Sequence, residues 1–529
     1  MGKPSEGCGT CRARKVKCDE ARPVCGRCRK AKRTCSGYRD PLSLWFRDES
    51  ESVARRVKGS ANKATGPPPA EPPVLTVARK KITPEAYLGH HSRQSPIPIV
   101  NFVLDHTFQG TCFFLNTYTW FDASSVVRSS LQRGSGPAES LGEKAMMAGV
   151  ASVGLANLAS LHRSPSLRLS ARHEYATALQ LTNAALCDPV LVRADTTLTA
   201  IVCLSLFEIV ACERDESLES WIEHSQGVAT LLELRGSEQL LRESGFWMFQ
   251  ALRNQVLIGC LQKKTRLPPV LVDMPDRIAA SLQTHPFPVD GDRLVKVVAK
   301  FSELQADIRE GIISDSTEII SIAMMIDSEL AHYASTVSAE FSYATGTWPD
   351  DVISREKDEH NFTHFQGSYH IYQSTWACNV WNNYRYIRIL VNNVILKHLG
   401  SMARKSQWGV EHGSFKDQYV RIRGLTRQLA TDICCSVPYK FGVAGRAEKN
   451  VVDSVTSHAG TGFTLLLPLF VAALVDGALS PIHDWAMRCF NIIGREMGID
   501  TALTLIKLLE SRTDAIATGE AAWPWDASA

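Results

Sequence analysis

The chain has 529 residues, of which 44% are hydrophobic and 21% charged, and its net charge is +3. This length allows for more than one domain and a large core, and the composition is that of a globular protein. The longest apolar run, Phe463–Val475, is shorter than the roughly 20 residues that a membrane-spanning helix needs, so we expect a core helix there and no membrane partner.

Charge is distributed unevenly along the chain. Residues 1–63 carry 17 Lys and Arg against 7 Asp and Glu, whereas residues 64–529 carry 41 basic and 48 acidic residues. The chain therefore divides into a small cationic head and a mildly acidic body. This division predicts a polyanionic partner for the head and none for the body.

Six of the 15 cysteines lie within 28 residues of the head, in the spacing C-x2-C-x6-C-x6-C-x2-C-x6-C. They are Cys8, Cys11, Cys18, Cys25, Cys28 and Cys35, so the unit C-x2-C-x6-C occurs twice. No apolar run follows Met1, so we expect no secretory signal. Because thiols inside the cell stay reduced, the pattern indicates a metal site and not a disulfide framework.

The metal that this cysteine set favours is zinc, which takes four soft ligands in a tetrahedron. Six thiolates complete two tetrahedra only if two of them bind both metals. The symmetry of the repeat favours the first cysteine of each unit, Cys8 and Cys25, as the two bridging ligands. The alternative is a single zinc with four cysteine ligands and two incidental cysteines. The duplicated spacing favours two zinc ions, because it leaves no cysteine as the obvious extra.

Basic residues are interleaved with the cysteines of the head. Lys and Arg neutralise phosphates and donate hydrogen bonds to guanine O6 and N7 in the major groove, so these residues predict a double-stranded DNA partner. The alternative is a solvated cationic face without base preference. The predicted DNA-binding residues are Arg12, Arg14, Lys15 and Lys17 in the first unit and Arg29, Lys30 and Lys32 in the second.

The head resembles the fungal zinc binuclear cluster, the Zn2Cys6 DNA-binding domain. The resemblance covers residues 8–35 without a gap, and Pro23 matches the proline of the family's connecting loop. It implies a cluster domain at residues 1–38, in which each half is a short helix followed by an extended strand. It also implies that the first helix reads a CGG triplet in the major groove through Lys15. The other basic residues of the first unit would be secondary or phosphate contacts, and those of the second unit would contact the backbone.

Residues 39–84 are predicted to be a basic, Pro-rich linker, in which GPPPAEPP at 66–73 is a stiff segment. Many members of the family have a coiled coil here and bind paired half-sites as dimers. No apolar heptad pattern persists in this chain, so a homodimer is implied by the resemblance alone. The basic runs also fit nuclear import signals, and we expect a nuclear protein.

Residues 85–529 show helical periodicity almost throughout, which predicts a large all-α regulatory domain and a mostly α fold class. The predicted helices include 143–163, 167–187, 198–210, 221–233, 369–399, 415–435 and 451–474. This body resembles the fungal-specific transcription factor regulatory domain. The resemblance rests on Trp221, His224 and Gly227, on ELRG at 233–236, and on LLLPLF at 465–470 followed by Asp484 and Trp485.

The sequence contains no G-x4-G-K-[ST], G-x-S-x-G or H-E-x2-H motif, so we expect no enzyme. The motifs predict a nuclear, sequence-specific, DNA-binding regulator of RNA polymerase II genes that contacts the transcription machinery. By resemblance, such regulators often govern fungal biosynthetic gene clusters. The alternative is a zinc-dependent interaction module that binds protein or RNA without base specificity.

Overall fold

The computed structural model describes residues 8–14, 16, 18–19, 25–31, 33, 35, 105–118, 126–127, 140–211, 227–282, 290–348, 362, 364–405, 411–444 and 459–517. The predicted linker at 39–84 lies outside these residues. Most of what is described is helical, in a small cysteine-rich head and a large body. The mostly α fold class is therefore confirmed.

The head contains two five-residue helices, α1 (Gly9–Ala13) and α2 (Gly26–Lys30), which contact each other. The longer helices belong to the body. They are α3 His106–Thr117, α4 Leu141–His162, α5 Pro165–Leu186, α6 Asp195–Val210, α7 Glu243–Lys263, α8 Pro269–Leu282, α9 Asp290–Glu310, α10 Ser316–Thr336, α11 Thr375–Lys405, α12 Glu411–Lys440, α13 Leu466–Ala473, α14 Pro481–Arg495 and α15 Asp500–Ala517.

The ends of α4 and α5 follow from local sequence signals. Ser140 and Glu143 form a capping box at the start of α4, each side chain accepting a hydrogen bond from the other residue's backbone. Arg163 ends α4 in the left-handed conformation, and the Ser164 side chain then caps α5, whose first residue is Pro165. Proline suits this first position, because its missing N–H would have no helical partner there.

Within the described part of the chain, α4 is long and apolar enough to cross a membrane by length and composition alone. In the fold, 72% of its apolar window is buried, and α3, α5 and α6 pack against it. Glycines allow the closest approach: a Cβ on Gly154 would lie 1.9 Å from the Gly110 carbonyl oxygen of α3. The hydropathy of α4 is thus accounted for by its place in the core.

One hydrophobic core runs through the body, and the C-terminal part of the chain packs against helices near the start of the body. Helix α15 contacts both α6 and α13. Asn157 of α4 accepts a hydrogen bond from Tyr118 at 2.7 Å and donates to the carbonyl oxygens of Met497 and Gly498 at 3.0 and 3.1 Å. These bonds satisfy a fully buried amide, as a close-packed interior requires.

The predicted helix at 369–399 begins instead with a strand. Strand β1 (Tyr343–Thr347) pairs antiparallel with β2 (Ser368–Tyr372), and α11 starts only at Thr375. In β2, His370 and Tyr372 are buried while Ile371 is exposed, which is the alternation expected of a half-buried strand. Five residues of alternation are too few to stand out beside a long helical run. In the predicted helix at 451–474, the described residues begin at 459.

The buried face of β2 covers a guanidinium. Arg385 of α11 is 1% exposed and donates to the Tyr372 hydroxyl at 2.6 Å and to Asn382 Oδ1 at 3.0 Å. Its guanidinium carbon lies 5.0 Å from the Tyr343 ring centroid, in a cation–π arrangement. Burial, and then the charge of Arg385, lowers the pKa of His370 to about 3 from an ordinary value of 6.5.

This neutral, buried histidine predicts a loss of stability in acid. The unfolded chain takes up a proton at His370 below about pH 6.5, whereas the folded chain does so only near pH 3. Protonation therefore favours unfolding as the pH falls through this window. We expect His370 to contribute a loss of about 3 kcal/mol between about pH 7 and about pH 4, measured by urea unfolding at each pH. The variant His370→Gln should flatten this dependence, and the exposed control His332→Gln should leave it unchanged. Equal slopes in both variants would contradict the assignment.

Candidate metal centre and nucleic-acid interface

Both halves of the head begin with the same local structure. The first cysteine of each C-x2-C unit precedes a helix, and its sulfur accepts the backbone N–H three residues later. Cys11 N–H donates to Cys8 Sγ at 3.4 Å, and Cys28 N–H donates to Cys25 Sγ at 3.2 Å. One helical turn therefore points both sulfurs of a unit to one side, which explains why the spacing is two residues.

The six sulfurs form two overlapping groups of four. In one group are Cys8, Cys11, Cys18 and Cys25, and in the other Cys8, Cys25, Cys28 and Cys35. Within each group all Sγ atoms lie within 4.8 Å of one another. Cys8 and Cys25 belong to both groups, and their own sulfurs are 3.6 Å apart.

These separations fit zinc. A Zn–S bond of about 2.3 Å implies neighbouring sulfurs about 3.8 Å apart in a tetrahedron. The observed distances are 3.8 Å for Cys8–Cys28 and 3.7 Å for Cys11–Cys25. They are far longer than a disulfide bond of about 2.05 Å, and no disulfide joins any of the six cysteines.

Ionised sulfurs packed this closely would need a cation among them. Cys8, Cys11, Cys25 and Cys28 are at most 2% exposed. The hydrogen bond with Cys25, followed by burial, raises the pKa of Cys28 to about 12. Thiolates this close together repel one another, so deprotonation must be coupled to the binding of a positive ion. The donor set is therefore that of a zinc-binding domain.

One site residue has no counterpart in the sequence motifs. Asp19 directly follows Cys18, and its Oδ1 accepts the Gly26 backbone N–H of α2 at 3.0 Å. This bond joins the first half of the head to the helix of the second half. The available signal was an acidic pair, Asp19 and Glu20, between two strongly basic stretches, and such a pair carries no spacing pattern.

The structure describes only some of the predicted DNA-binding residues. Lys15, Lys17 and Lys32 lie outside the described residues, as does Pro23. Arg12 lies within α1, and Arg14 is exposed in the turn that follows it. Among the described residues of the second half, the exposed basic ones are Arg27, Arg29, Lys30 and Arg33, of which Arg27 and Arg33 were not in the predicted set.

The body motifs that are described have structural roles. Trp221 and His224 lie outside the described residues. Arg235 of the ELRG motif pairs with Asp195 at the start of α6, at 2.5 Å. Trp485 is 3% exposed and packs against the rings of Phe362 and Phe365 at centroid distances of 5.3 Å.

Family models match two parts of the chain. The fungal Zn(2)-Cys(6) binuclear cluster domain matches residues 6–44, and the fungal specific transcription factor domain matches residues 133–260. The second match spans α4–α7, and LLLPLF and Trp485 lie beyond its end. These are domains of a transcription factor and not of an enzyme.

The similar curated proteins are fungal regulators, and the likeness is local. Sterol uptake control protein 2 of Candida albicans is 39% identical over 84 residues, which are 16% of this chain and 10% of that protein. White-opaque regulator 2 of Candida albicans is 53% identical over 38 residues, 7% of this chain and 8% of that protein. The Aspercryptin biosynthesis cluster-specific transcription regulator atnN of Emericella nidulans is 57% identical over 38 residues, 7% of this chain and 6% of that protein.

The chain thus spans a tenth or less of the length of these relatives. No solved structure matches it. The two domain matches cover the cysteine head and helices α4–α7 of the body, and the second match includes residues 221–236 of the sequence resemblance. The chain therefore contains a fungal Zn(2)-Cys(6) binuclear cluster domain at residues 6–44 and a fungal specific transcription factor domain at residues 133–260.

Proposed function

We propose that the chain is a nuclear regulator that binds double-stranded DNA through two zinc ions held by its six cysteines. The observation that carries this proposal is the pair of four-sulfur groups with Cys8 and Cys25 in common. In this arrangement Cys8 and Cys25 bridge the ions, and each of the other cysteines binds one. Zinc supplies folding free energy to a head too small to build its own core.

In this proposal the head reads DNA from the end of α1. Lys15 follows α1 and contacts a CGG triplet in the major groove, while Arg12, Arg14 and Lys17 add phosphate and secondary contacts. Arg29, Lys30 and Lys32 contact the phosphate backbone. The exposure of Arg14, Arg29 and Lys30 supports these roles, because none of them is used in the packing of the head.

The rest of the chain is proposed to be a regulatory unit. Residues 1–38 form the cluster domain, 39–84 the linker and 85–529 the helical domain that contacts the transcription machinery at RNA polymerase II genes. The local similarity of the chain to a biosynthesis cluster-specific regulator supports control of a biosynthetic gene cluster. In this proposal, two copies of the chain bind paired CGG triplets as a homodimer.

An unbiased selection from random duplex DNA tests this function. Zinc-loaded full-length protein is expected to enrich a CGG triplet at one stated salt concentration, and a homodimer should enrich two triplets at a fixed spacing. Affinity should also fall steeply as salt rises, because phosphate contacts release counterions. Two bound zinc ions without any enriched sequence would overturn base reading and favour the protein- or RNA-interaction module.

The variant Lys15→Ala tests the assignment of base readout. We expect it to flatten the preference for CGG over other triplets by about 1–3 kcal/mol, because a base contact is lost. The control Arg33→Ala should weaken binding to all duplexes alike and leave the preference unchanged. Competition binding with matched and mismatched duplexes measures both effects. Equal losses of preference in the two variants would contradict the role of Lys15.

A further inference from the structure

The two halves of the head are joined outside the sulfur cluster by the Asp19 carboxylate. Its Oδ1 accepts the Gly26 N–H at 3.0 Å, and a Cβ built on Gly26 would lie 2.3 Å from its Oδ2. Both carboxylate oxygens therefore lie against the first residue of α2. Asp19 is adjacent to Cys18, which belongs to one sulfur group, and Gly26 is adjacent to Cys25, which belongs to both.

This contact explains why position 19 is an aspartate and position 26 a glycine, which the cysteine pattern does not determine. The first N–H groups of a helix have no partner within the helix, and a carboxylate provides a strong, charge-assisted acceptor. Glycine is unfavourable within a helix because of its backbone entropy, yet any larger residue at position 26 would displace the carboxylate. The pair is thus complementary in shape as well as in hydrogen bonding.

We propose that Asp19 is a positioning residue for DNA recognition: it fixes α2 relative to the segment that follows α1. This inference rests on the proposed function, because the base contact comes from the first half and the second half adds phosphate contacts. Both sets of contacts can form on one duplex only if the two halves keep a fixed arrangement. Asp19 is also an exposed negative charge on a cationic head, so it opposes general attraction to phosphate.

The charge of Asp19 is expected to affect the affinity for any duplex, and its hydrogen bond the ratio of the affinities for CGG and scrambled duplexes, so the two can be tested separately. Asp19→Asn keeps an acceptor oxygen and removes the charge, so it should raise affinity for CGG and scrambled duplexes alike. Asp19→Ala removes both, so the ratio of the two affinities should fall about tenfold. Glu20→Ala makes the same change in charge one residue away and should leave this ratio unchanged. An unchanged ratio in Asp19→Ala would overturn the inference.

Gly26→Ala provides a second, independent test in the full-length chain. The new methyl group must displace the carboxylate, so this variant should reproduce Asp19→Ala. The double variant should then be no worse than either single variant. Effects that multiply would show that the two residues act separately and would contradict the proposed contact.

A readout that needs no DNA separates failure of this inference from failure of the proposed function. We expect Asp19→Ala and Gly26→Ala to release zinc to a chelator several-fold faster than the unchanged protein, with no further increase in the double variant. If the unchanged protein shows no base preference, the proposed function fails, and the chelator rates still decide whether Asp19 couples the two halves. Unchanged rates in both single variants would overturn the coupling.

Discussion

Cys25→Ser is expected to remove both zinc ions from the chain and to abolish DNA binding. Cys25 belongs to both four-sulfur groups, so its loss leaves neither group with four sulfurs. Serine offers a hard oxygen in place of a soft thiolate, and zinc binding is a large part of the folding free energy of such a small domain. Metal analysis of the purified full-length chain should give two zinc ions per unchanged protein and none per variant.

Cys35→Ser is the matched control for this experiment. Cys35 belongs to one group only, so the group of Cys8, Cys11, Cys18 and Cys25 stays complete, and about one zinc should be retained. Cys112→Ser changes an exposed thiol of the body and should retain two. A Cys25→Ser protein that holds one zinc as firmly as Cys35→Ser would exclude Cys25 as a bridging ligand.

The head could be interpreted from its sequence because its chemistry is local. All six cysteines fall within 28 residues, and a two-residue gap across one helical turn is enough to bring two sulfurs together. The Asp19–Gly26 contact lies in the same short stretch and was still missed. A carboxylate that accepts one backbone N–H needs no particular spacing, so nothing in the pattern distinguishes it from a solvated acid.

In the body, too, local features could be predicted from the sequence, whereas contacts between distant residues could not. Helix α4 was predicted within two residues of its bounds, because its helical periodicity is a local property of the sequence. The β1–β2 hairpin was missed because its strands are five residues long and Gly346 pairs with Tyr369, 23 positions away. The hydrogen bonds from Asn157 to residues 497 and 498 join residues that are even further apart along the chain. Such contacts depend on how helices pack, which the periodicity of one segment does not determine.

A buried ion pair between α7 and α9 gives the second large expected effect. Arg253 and Asp292 are 1% and 3% exposed, and the guanidinium donates to the carboxylate and to Gln250. Gln250 also donates to Asp292 at 3.3 Å, and the guanidinium carbon lies 4.9 Å from the Phe249 ring centroid. Burial lowers the pKa of Arg253, and the charge of Asp292 opposes this shift.

Asp292→Ala is therefore expected to destabilise the body by about 3–5 kcal/mol, because it leaves the Arg253 charge buried without a counter-charge. The comparison is Asp276→Ala, which breaks the exposed 2.7 Å pair with Lys296 between α8 and α9 and should have a much smaller effect. Urea unfolding followed by circular dichroism measures both.

The double variant Arg253→Met and Asp292→Leu separates the cost of burying an unpaired charge from the contribution of the ion pair to the stability of the body. Two apolar side chains remove both buried charges, so this variant should be more stable than Asp292→Ala alone. If Asp292→Ala were no less stable than Asp276→Ala, the Arg253 charge would have to be solvated in the folded chain. The α7–α9 contact would then not depend on the ion pair, and packing around Phe249 would hold the two helices together.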